Sequence, residues 1–138
     1  MDIHEVMTRD VKVISPEDTL QRAAELMKEN NFGLMPVGEN DRLVGMLSDR
    51  DIAVRAVARG LPSDQCKVRS VMSSEVKYVY EDESVEDAAR SMSNLQVRRL
   101  PVLNRGKRLV GIVSLGDVAL EKTKPAGAAL HAISQPVG

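Results

Sequence analysis

The sequence predicts a mixed α/β protein of the α+β type, made of two β-α-β-β-α units related by a pseudo-twofold axis. Three observations support this fold class. Apolar, strand-like runs alternate with amphipathic helical patterns along the chain. The alternation occurs twice, and Pro36 in the first copy corresponds to Pro101 in the second, an offset of 65 residues. In both copies an apolar strand ends at a serine, and a helical pattern begins at once.

The first half of the leading repeat predicts a strand and a helix. Residues 11–14 form a short β-branched run that is typical of a strand. Thr19 stands where a helix N-cap is expected, after a turn over residues 15–18. The apolar residues that follow have the i, i+3, i+4, i+7 spacing of an amphipathic helix: Leu20, Ala23, Ala24 and Met27.

The second half of this repeat predicts a hairpin and another helix. Residues 34–37 and 43–47 read as strands, joined by a turn over residues 38–41. Pro36 favours an edge strand or a strand start, because proline cannot donate a ladder hydrogen bond. A helix is then expected over residues 49–59, and Gly60 would end it.

The second repeat has an equivalent for each of these predicted elements. Val6-Met7 corresponds to Val71-Met72, and the helical stripe recurs with the same spacing. One extra residue in the second hairpin turn changes the offset to 66, so that Ser48 corresponds to Ser114. We therefore predict domains over residues 1–60 and 71–122, a linker over 61–70, and a tail over 123–138 that carries a short helix or a frayed end.

Composition excludes several classes of function. The chain has 138 residues, is 43% hydrophobic and 28% charged, and carries a net charge of −1, which gives no electrostatic reason to bind nucleic acid or a membrane. The single cysteine, Cys66, excludes an internal disulfide. No signal peptide or transmembrane pattern is visible, so we expect a cytoplasmic protein. His4 and His131 have no further ligands at metal-binding spacing, and no metal site is expected.

The paired Ser-x-x-Asp motifs have two interpretations. As capping boxes, Ser48 with Asp51 and Ser114 with Asp117 would only satisfy the backbone of a helix start. As binding sites, the same serines could contact a phosphate or sugar, and the same carboxylates could accept ribose hydroxyls. Gly45, with its counterpart in the second repeat, would allow a flat base to approach the strand closely.

Positive charge near these motifs is distributed unequally. Arg50 lies beside Asp51 in the first repeat, where it could contact a phosphate. Arg98 and Arg99 form a basic pair in the second repeat, and their counterparts in the first are Gly33-Leu34. An ordinary solvated strand end, or ion pairs across a dimer contact, would also account for this basic pair.

The complete pattern resembles a tandem pair of CBS domains, named after cystathionine β-synthase and known together as a Bateman module. The motifs V-M-T, S-P-x-x-T-L-x-x-A-A-x-x-M, M-P-V and L-V-G-x-L-S-x-x-D carry this resemblance over about residues 3–120. It implies two clefts between the halves and adenosine ligands such as AMP, ADP, ATP, S-adenosylmethionine or NAD. It assigns ribose or phosphate contacts to Ser48, Asp51, Ser114 and Asp117, and phosphate contacts to Arg98 and Arg99. Gly33-Leu34 departs from the family pattern, so we expect unequal clefts.

From this resemblance we expect a sensor of adenosine-type ligands that has no catalytic role and no required cofactor. The apolar helix and hairpin faces of such modules meet a second module, so we expect a homodimer, which could in turn act on a protein target. A ligand-free interaction module, in which the Ser-x-x-Asp motifs are only helix caps, is the alternative. An enzyme is a further one, but no base, nucleophile and oxyanion site assemble in the sequence.

Overall fold

The computed structural model describes residues 1–123, and the backbone of these residues forms two compact units. The first unit comprises Lys12–Val76, and the second joins Met1–Val11 to the segment that begins at Lys77. The prediction of a short helix within the tail over residues 123–138 falls outside the described residues, apart from Thr123. No helix within the described part combines the length and the apolar character needed to cross a bilayer.

The first unit contains two helices and an antiparallel hairpin. Thr19 caps the first helix as predicted, because its Oγ1 accepts a hydrogen bond from the backbone N–H of Arg22 at 3.2 Å. The hairpin closes through Asn40 and Asp41, whose φ angles of 55° and 62° fit a two-residue turn of type I′. The elements are α1 (Leu20–Asn30), β1 (Leu34–Glu39), β2 (Arg42–Ser48) and α2 (Asp49–Ile52).

Two predictions for this unit are wrong in detail. Residues 11–14 form no strand, because only Ile14 pairs, through a parallel bridge to Val37, while Val13 is exposed. The helix predicted over residues 49–59 is not uniform. After α2 it becomes a π-helix over Ala53–Val57, and the N–H of Ala58 donates to the carbonyl of Ala53 at 2.9 Å.

The second unit repeats this plan with a three-stranded sheet. The elements are β3 (Val79–Tyr80), α3 (Val85–Leu95), β4 (Arg99–Leu103), β5 (Leu109–Ser114) and α4 (Leu115–Thr123). The strand order is β3-β4-β5, in which β3 runs parallel to β4 and β4 runs antiparallel to β5. Ser84 caps α3 by accepting from the N–H of Asp87 at 3.1 Å.

The first residues of each repeat, which we call the lead segments (residues 1–11 and 68–76), belong to the compact unit that contains most of the other repeat. The lead segment of the first repeat belongs to the second unit, where Thr8 bridges to Ile112. The lead segment of the second repeat belongs to the first unit, where Ser73 bridges to Met46. Each compact unit is therefore a composite of both repeats, whereas the domain boundaries predicted above follow the sequence repeat.

Each unit has its own apolar core, to which the lead segment contributes fully buried side chains. The repeated methionines fill these cores as interpreted from the sequence, with Met27 and Met92 buried. The core of the first unit consists of Ile14, Leu20, Ala23, Met27, Met35, Val37, Leu47, Ala56, Val68 and Val71. The core of the second unit consists of Ile3, Met7, Val79, Val85, Ala88, Met92, Leu100, Val102, Val113 and Val118.

The segment predicted as a linker, residues 61–70, lies against α1 in the first unit. The N–H of Leu20 donates to the carbonyl of Cys66 at 3.0 Å, and Leu61 packs against the core. Lys67 and Arg69 both form ion pairs with Glu17, and the hydrogen bond from Lys67 contributes most to holding the pKa of that carboxyl below its usual range. This segment is thus packed and hydrogen-bonded against the unit.

Candidate functional site

The first strand-to-helix junction, which we define as residues 33–34 and 48–51, contains a complete capping box. β2 ends at Ser48, whose backbone N–H donates to Oδ2 of Asp51 at 2.9 Å. The N–H of Asp51 donates in return to Oγ of Ser48 at 3.0 Å. The capping role predicted for this motif is confirmed, because two backbone donors of the helix start are satisfied reciprocally.

The second junction, defined as residues 98–99 and 114–117, has the same box. The N–H of Ser114 donates to Oδ2 of Asp117 at 3.0 Å, and the N–H of Asp117 donates to Oγ of Ser114 at 3.0 Å. Both carboxylates are half-buried. The two junctions therefore share one backbone geometry, and they differ in the side chains that surround it.

Each capping box uses only some of the polar atoms of its serine and aspartate. In each box the serine hydroxyl is the acceptor, so its proton is not used by the cap. Each aspartate uses Oδ2, and its Oδ1 lies outside the box. A cap and a ligand contact are therefore compatible on the same two side chains.

The predicted site residues of the first junction lie together, and Arg55 joins them. Arg50 is exposed beside the box. Arg55 was not predicted; its Nε lies 3.9 Å from Oδ1 of Asp51, and its Nη1 donates to the carbonyl of Val71 at 3.3 Å. The signal that could have indicated this pair is the i, i+4 spacing of an aspartate and an arginine on one helix.

The predicted residues of the second junction also lie together. Arg99 pairs with Ser114 across β4 and β5, and its side chain is half-buried. Burial lowers the pKa of the Arg99 guanidinium below its usual value, and the nearby Asp117 carboxylate opposes that shift. Arg98 is exposed, and its carbonyl accepts a hydrogen bond from the N–H of Leu115 at 2.7 Å.

The strand glycines do not offer an open surface for a base on the face where a side chain would project. A Cβ built on Gly45 would lie 2.7 Å from Sδ of Met72 and 2.9 Å from the carbonyl of Ser73. A Cβ on Gly111 would meet Met7 in the same way. The close approach that these glycines permit is made by the lead segments of the chain itself.

Metal-ligating side chains do not cluster in the described part of the chain. Within residues 1–123, no group of three or more histidine, cysteine, aspartate or glutamate side chains could hold an ion. Nδ1 of His4 lies 3.9 Å from Oδ2 of Asp2. The other histidine, His131, lies outside the described residues.

Loss of one capping box should have a measurable cost. We expect Ser114→Ala to lower the free energy of unfolding by about 1 kcal/mol, because α4 loses the acceptor at its N-cap. Urea unfolding followed by circular dichroism measures the change. Ser93→Ala is the control, since Ser93 is exposed within α3 of the same unit. Equal effects of the two substitutions would contradict the assigned capping role.

Comparison with known proteins places this architecture among CBS-domain proteins. The CBS domain model matches residues 3–57 and 68–122. The CBS domain-containing protein YhcV of Bacillus subtilis is 45% identical over 134 residues, which cover 96% of this chain and 94% of that protein.

Solved structures show the same fold. The structure of CBSX2 in complex with AMP superposes with a TM-score of 0.78 at 26% identity, over 91% of this chain and 98% of that one. Hypoxic Response Protein I with two coordinated zinc ions superposes with a TM-score of 0.77 at 34% identity, over 88% of this chain and 98% of that one. Hypoxic response protein 1 is a protein of Mycobacterium tuberculosis.

Proposed function

Since this chain belongs to the CBS domain family, with two CBS domains in tandem, we propose that it is a regulatory module for adenosine-type ligands. It binds AMP, ADP, ATP, S-adenosylmethionine or NAD at one or both junctions, and it catalyses no reaction of its own. The observation that carries the proposal is the repeated Ser-x-x-Asp box with arginines beside it. The AMP complex of the similar CBSX2 supports the ligand class.

The two boxes would contact the ribose. Oδ1 of Asp51 and of Asp117 lies outside its capping box, and a carboxylate oxygen accepts hydrogen bonds from ribose hydroxyls. The hydroxyls of Ser48 and Ser114 would donate to a sugar or phosphate oxygen. Because the boxes hold these side chains in place before a ligand arrives, binding costs little further loss of side-chain entropy.

The arginines would contact phosphate. Arg50 is exposed beside the first box, and Arg98 and Arg99 stand at the start of β4 beside the second. A planar guanidinium matches phosphate oxygens through two parallel hydrogen bonds. These three side chains would therefore distinguish a nucleotide from a nucleoside.

Signalling requires a second state, and we propose that it involves a homodimer. A ligand shifts an equilibrium only by its differential affinity for two states. The helical segment after β2 presents two exposed apolar side chains, Val54 and Val57, which are 53% and 67% exposed. These two side chains lie one helical turn apart, and we propose that a second copy of the chain covers them. Ligand occupancy would then change how the copies pack and what a protein target recognises.

A ligand-free interaction module remains the rival, and one observation favours it. Both capping boxes are complete without any ligand, so the sequence motif has a structural explanation. In that case the junctions only begin helices, and the exposed apolar residues of the module are its functional surface.

Substitution of the box aspartates separates the two functions. We expect Asp117→Ala to weaken binding at its junction about 10- to 100-fold, since hydrogen bonds to a charged group contribute about 1.5–3 kcal/mol each. Isothermal titration calorimetry with AMP, ATP, S-adenosylmethionine and NAD measures the change. Asp51→Ala tests the first junction in the same way.

The control for this experiment is Ser84→Ala, which removes a helix cap from the same unit at a different helix. It should reduce stability without changing affinity. If no adenosine ligand binds the unsubstituted protein, or if Asp117→Ala reduces stability alone, the ligand-free module is the correct function. Native mass spectrometry of freshly purified protein adds the number of copies and any retained nucleotide.

A further inference from the structure

Arg55 joins the first capping box to the lead segment of the second repeat. Its Nε lies 3.9 Å from Oδ1 of Asp51, and its Nη1 donates to the backbone carbonyl of Val71 at 3.3 Å. The side chain of Val71 is buried in the core of the first unit, which holds this carbonyl in place. One guanidinium therefore contacts both a candidate ligand-binding carboxylate and the lead segment 68–76.

The helical segment that carries Arg55 differs from its equivalent in the second repeat. After α2 it continues as a π-helix over Ala53–Val57, whereas α4 is an α-helix throughout Leu115–Thr123. Turns of π-helix are rare and are frequently found at functional positions. Ala56, the next residue, is buried in the core and fixes the backbone there. The part of Arg55 that is able to move is thus its side chain, which is 53% exposed.

The segment that Arg55 contacts is a covalent connection between the two units. It ends at Val76, the last residue of the first unit, and Lys77 begins the larger part of the second unit. Within the first unit, two backbone hydrogen bonds of 2.9 Å between Ser73 and Met46 attach it to β2. A change in how firmly residues 68–76 are held would therefore act on chain that leads directly into the second unit.

A nucleotide at the first junction would compete for both contacts of Arg55. Under the proposed function, ribose hydroxyls donate to Oδ1 of Asp51, which is the oxygen that Nε of Arg55 faces. A guanidinium also binds an anionic phosphate oxygen more strongly than a neutral carbonyl, because charge-assisted hydrogen bonds are roughly twice as strong as neutral ones. Occupancy of the junction would therefore draw Arg55 away from the carbonyl of Val71.

Building on the proposed function, we propose that Arg55 couples occupancy of the first junction to the lead segment 68–76. In the empty state, Arg55 holds the segment through Val71. In the bound state, Arg55 turns to the ligand, and the segment opens more often. The coupling exists because the contacts of one side chain differ between the two states, which is the physical requirement for any such link.

Hydrogen exchange of the full chain, resolved by NMR at each amide, tests this coupling with AMP as the probe. We expect saturating AMP to speed exchange in residues 68–76 about two- to tenfold, the factor that corresponds to the loss of one ordinary hydrogen bond. Residues 1–11 are the internal reference, since this equivalent segment is attached to Ile112 of the second unit. Exchange there should slow or stay unchanged.

A pair of variants isolates the contribution of Arg55. Arg55→Met keeps the length of the side chain and removes its donors. Without ligand it should speed exchange in residues 68–76 about two- to tenfold, and AMP should then add no further increase. Arg59→Met is the matched control, because it removes the same charge from an exposed arginine of the same unit. It should leave both the exchange rates and the response to AMP unchanged.

The outcomes separate this proposal from the function on which it rests. If AMP shifts the amides of residues 48–51 but exchange in residues 68–76 does not speed up, the coupling is wrong while the binding function stands. The same conclusion follows if Arg55→Met and Arg59→Met respond to AMP equally. If AMP, ATP, S-adenosylmethionine and NAD all leave residues 48–51 unshifted, binding at the first junction and the coupling fail together.

Discussion

Ile3→Ala is expected to lower the free energy of unfolding by about 2–5 kcal/mol, as large-to-small substitutions in packed cores do. Ile3 is fully buried in the core of the second unit, although it belongs to the lead segment of the first repeat. Its backbone N–H donates to the carbonyl of Glu83 at 2.9 Å, so the backbone cannot easily close the cavity. Urea unfolding followed by circular dichroism measures the loss.

Two further measurements make this prediction specific. Ser93→Ala is the control, because Ser93 is exposed within α3 of the same unit and its truncation should change the free energy of unfolding by less than about 0.5 kcal/mol. Hydrogen exchange should locate the lost protection of Ile3→Ala in residues 77–123 and not in residues 12–76. Equal losses of protection in both ranges, or a loss of stability no larger than that of Ser93→Ala, would show that the lead segment does not complete the second unit.

Gly111→Ala is expected to destabilise the protein by about 1–3 kcal/mol, the range for overpacking a filled core. The new Cβ would lie 2.6 Å from Sδ of Met7 and 2.9 Å from the carbonyl of Thr8. The sulfur can move, but the carbonyl cannot, since Thr8 and Ile112 exchange two backbone hydrogen bonds of 2.8 and 2.9 Å. Thermal or urea unfolding reports the change.

Two other glycine substitutions serve as comparisons for the loss of stability of Gly111→Ala. Gly45→Ala should cost a similar amount, because its Cβ would meet Met72 and Ser73 at nearly the same distances. Gly106→Ala should be close to neutral, since the nearest atom to its Cβ is the side-chain Oδ1 of Asn104 at 3.3 Å. If Gly106→Ala costs as much as Gly111→Ala, close approach of the lead segment is not the cause.

Local chemistry made the helix starts and the hairpins predictable. Thr19 and the two Ser-x-x-Asp motifs mark helix starts because their oxygens satisfy nearby backbone donors, and this requires no knowledge of the tertiary fold. Because the repeat aligns the two copies, the elements predicted for the first copy also predicted those of the second. The prediction of a strand over residues 11–14 was wrong, because only Ile14 in this run has a bridge partner, Val37.

Long-range packing was not predictable from the repeat. An internal repeat identifies equivalent residues, but it does not say which copy a segment packs against, so the exchange of the lead segments was missed. The contact between the Asp49 carboxylate and Gly33 was not predicted for a related reason, because these residues become neighbours only once β1 and β2 have paired.

The exchanged lead segments also bear on how the chain folds during synthesis. The ribosome makes residues 1–11 before residues 12–76, yet the backbone hydrogen bonds of Thr8 cannot form until Ile112 has been made. Residues 12–76 contain all of the first unit and are complete much earlier. Because domains generally fold as they emerge, we expect residues 12–76 to fold first on the ribosome, and residues 1–11 to pack only after β5 has been made. A truncated nascent chain would therefore hold one finished unit with Ile3 still exposed to water.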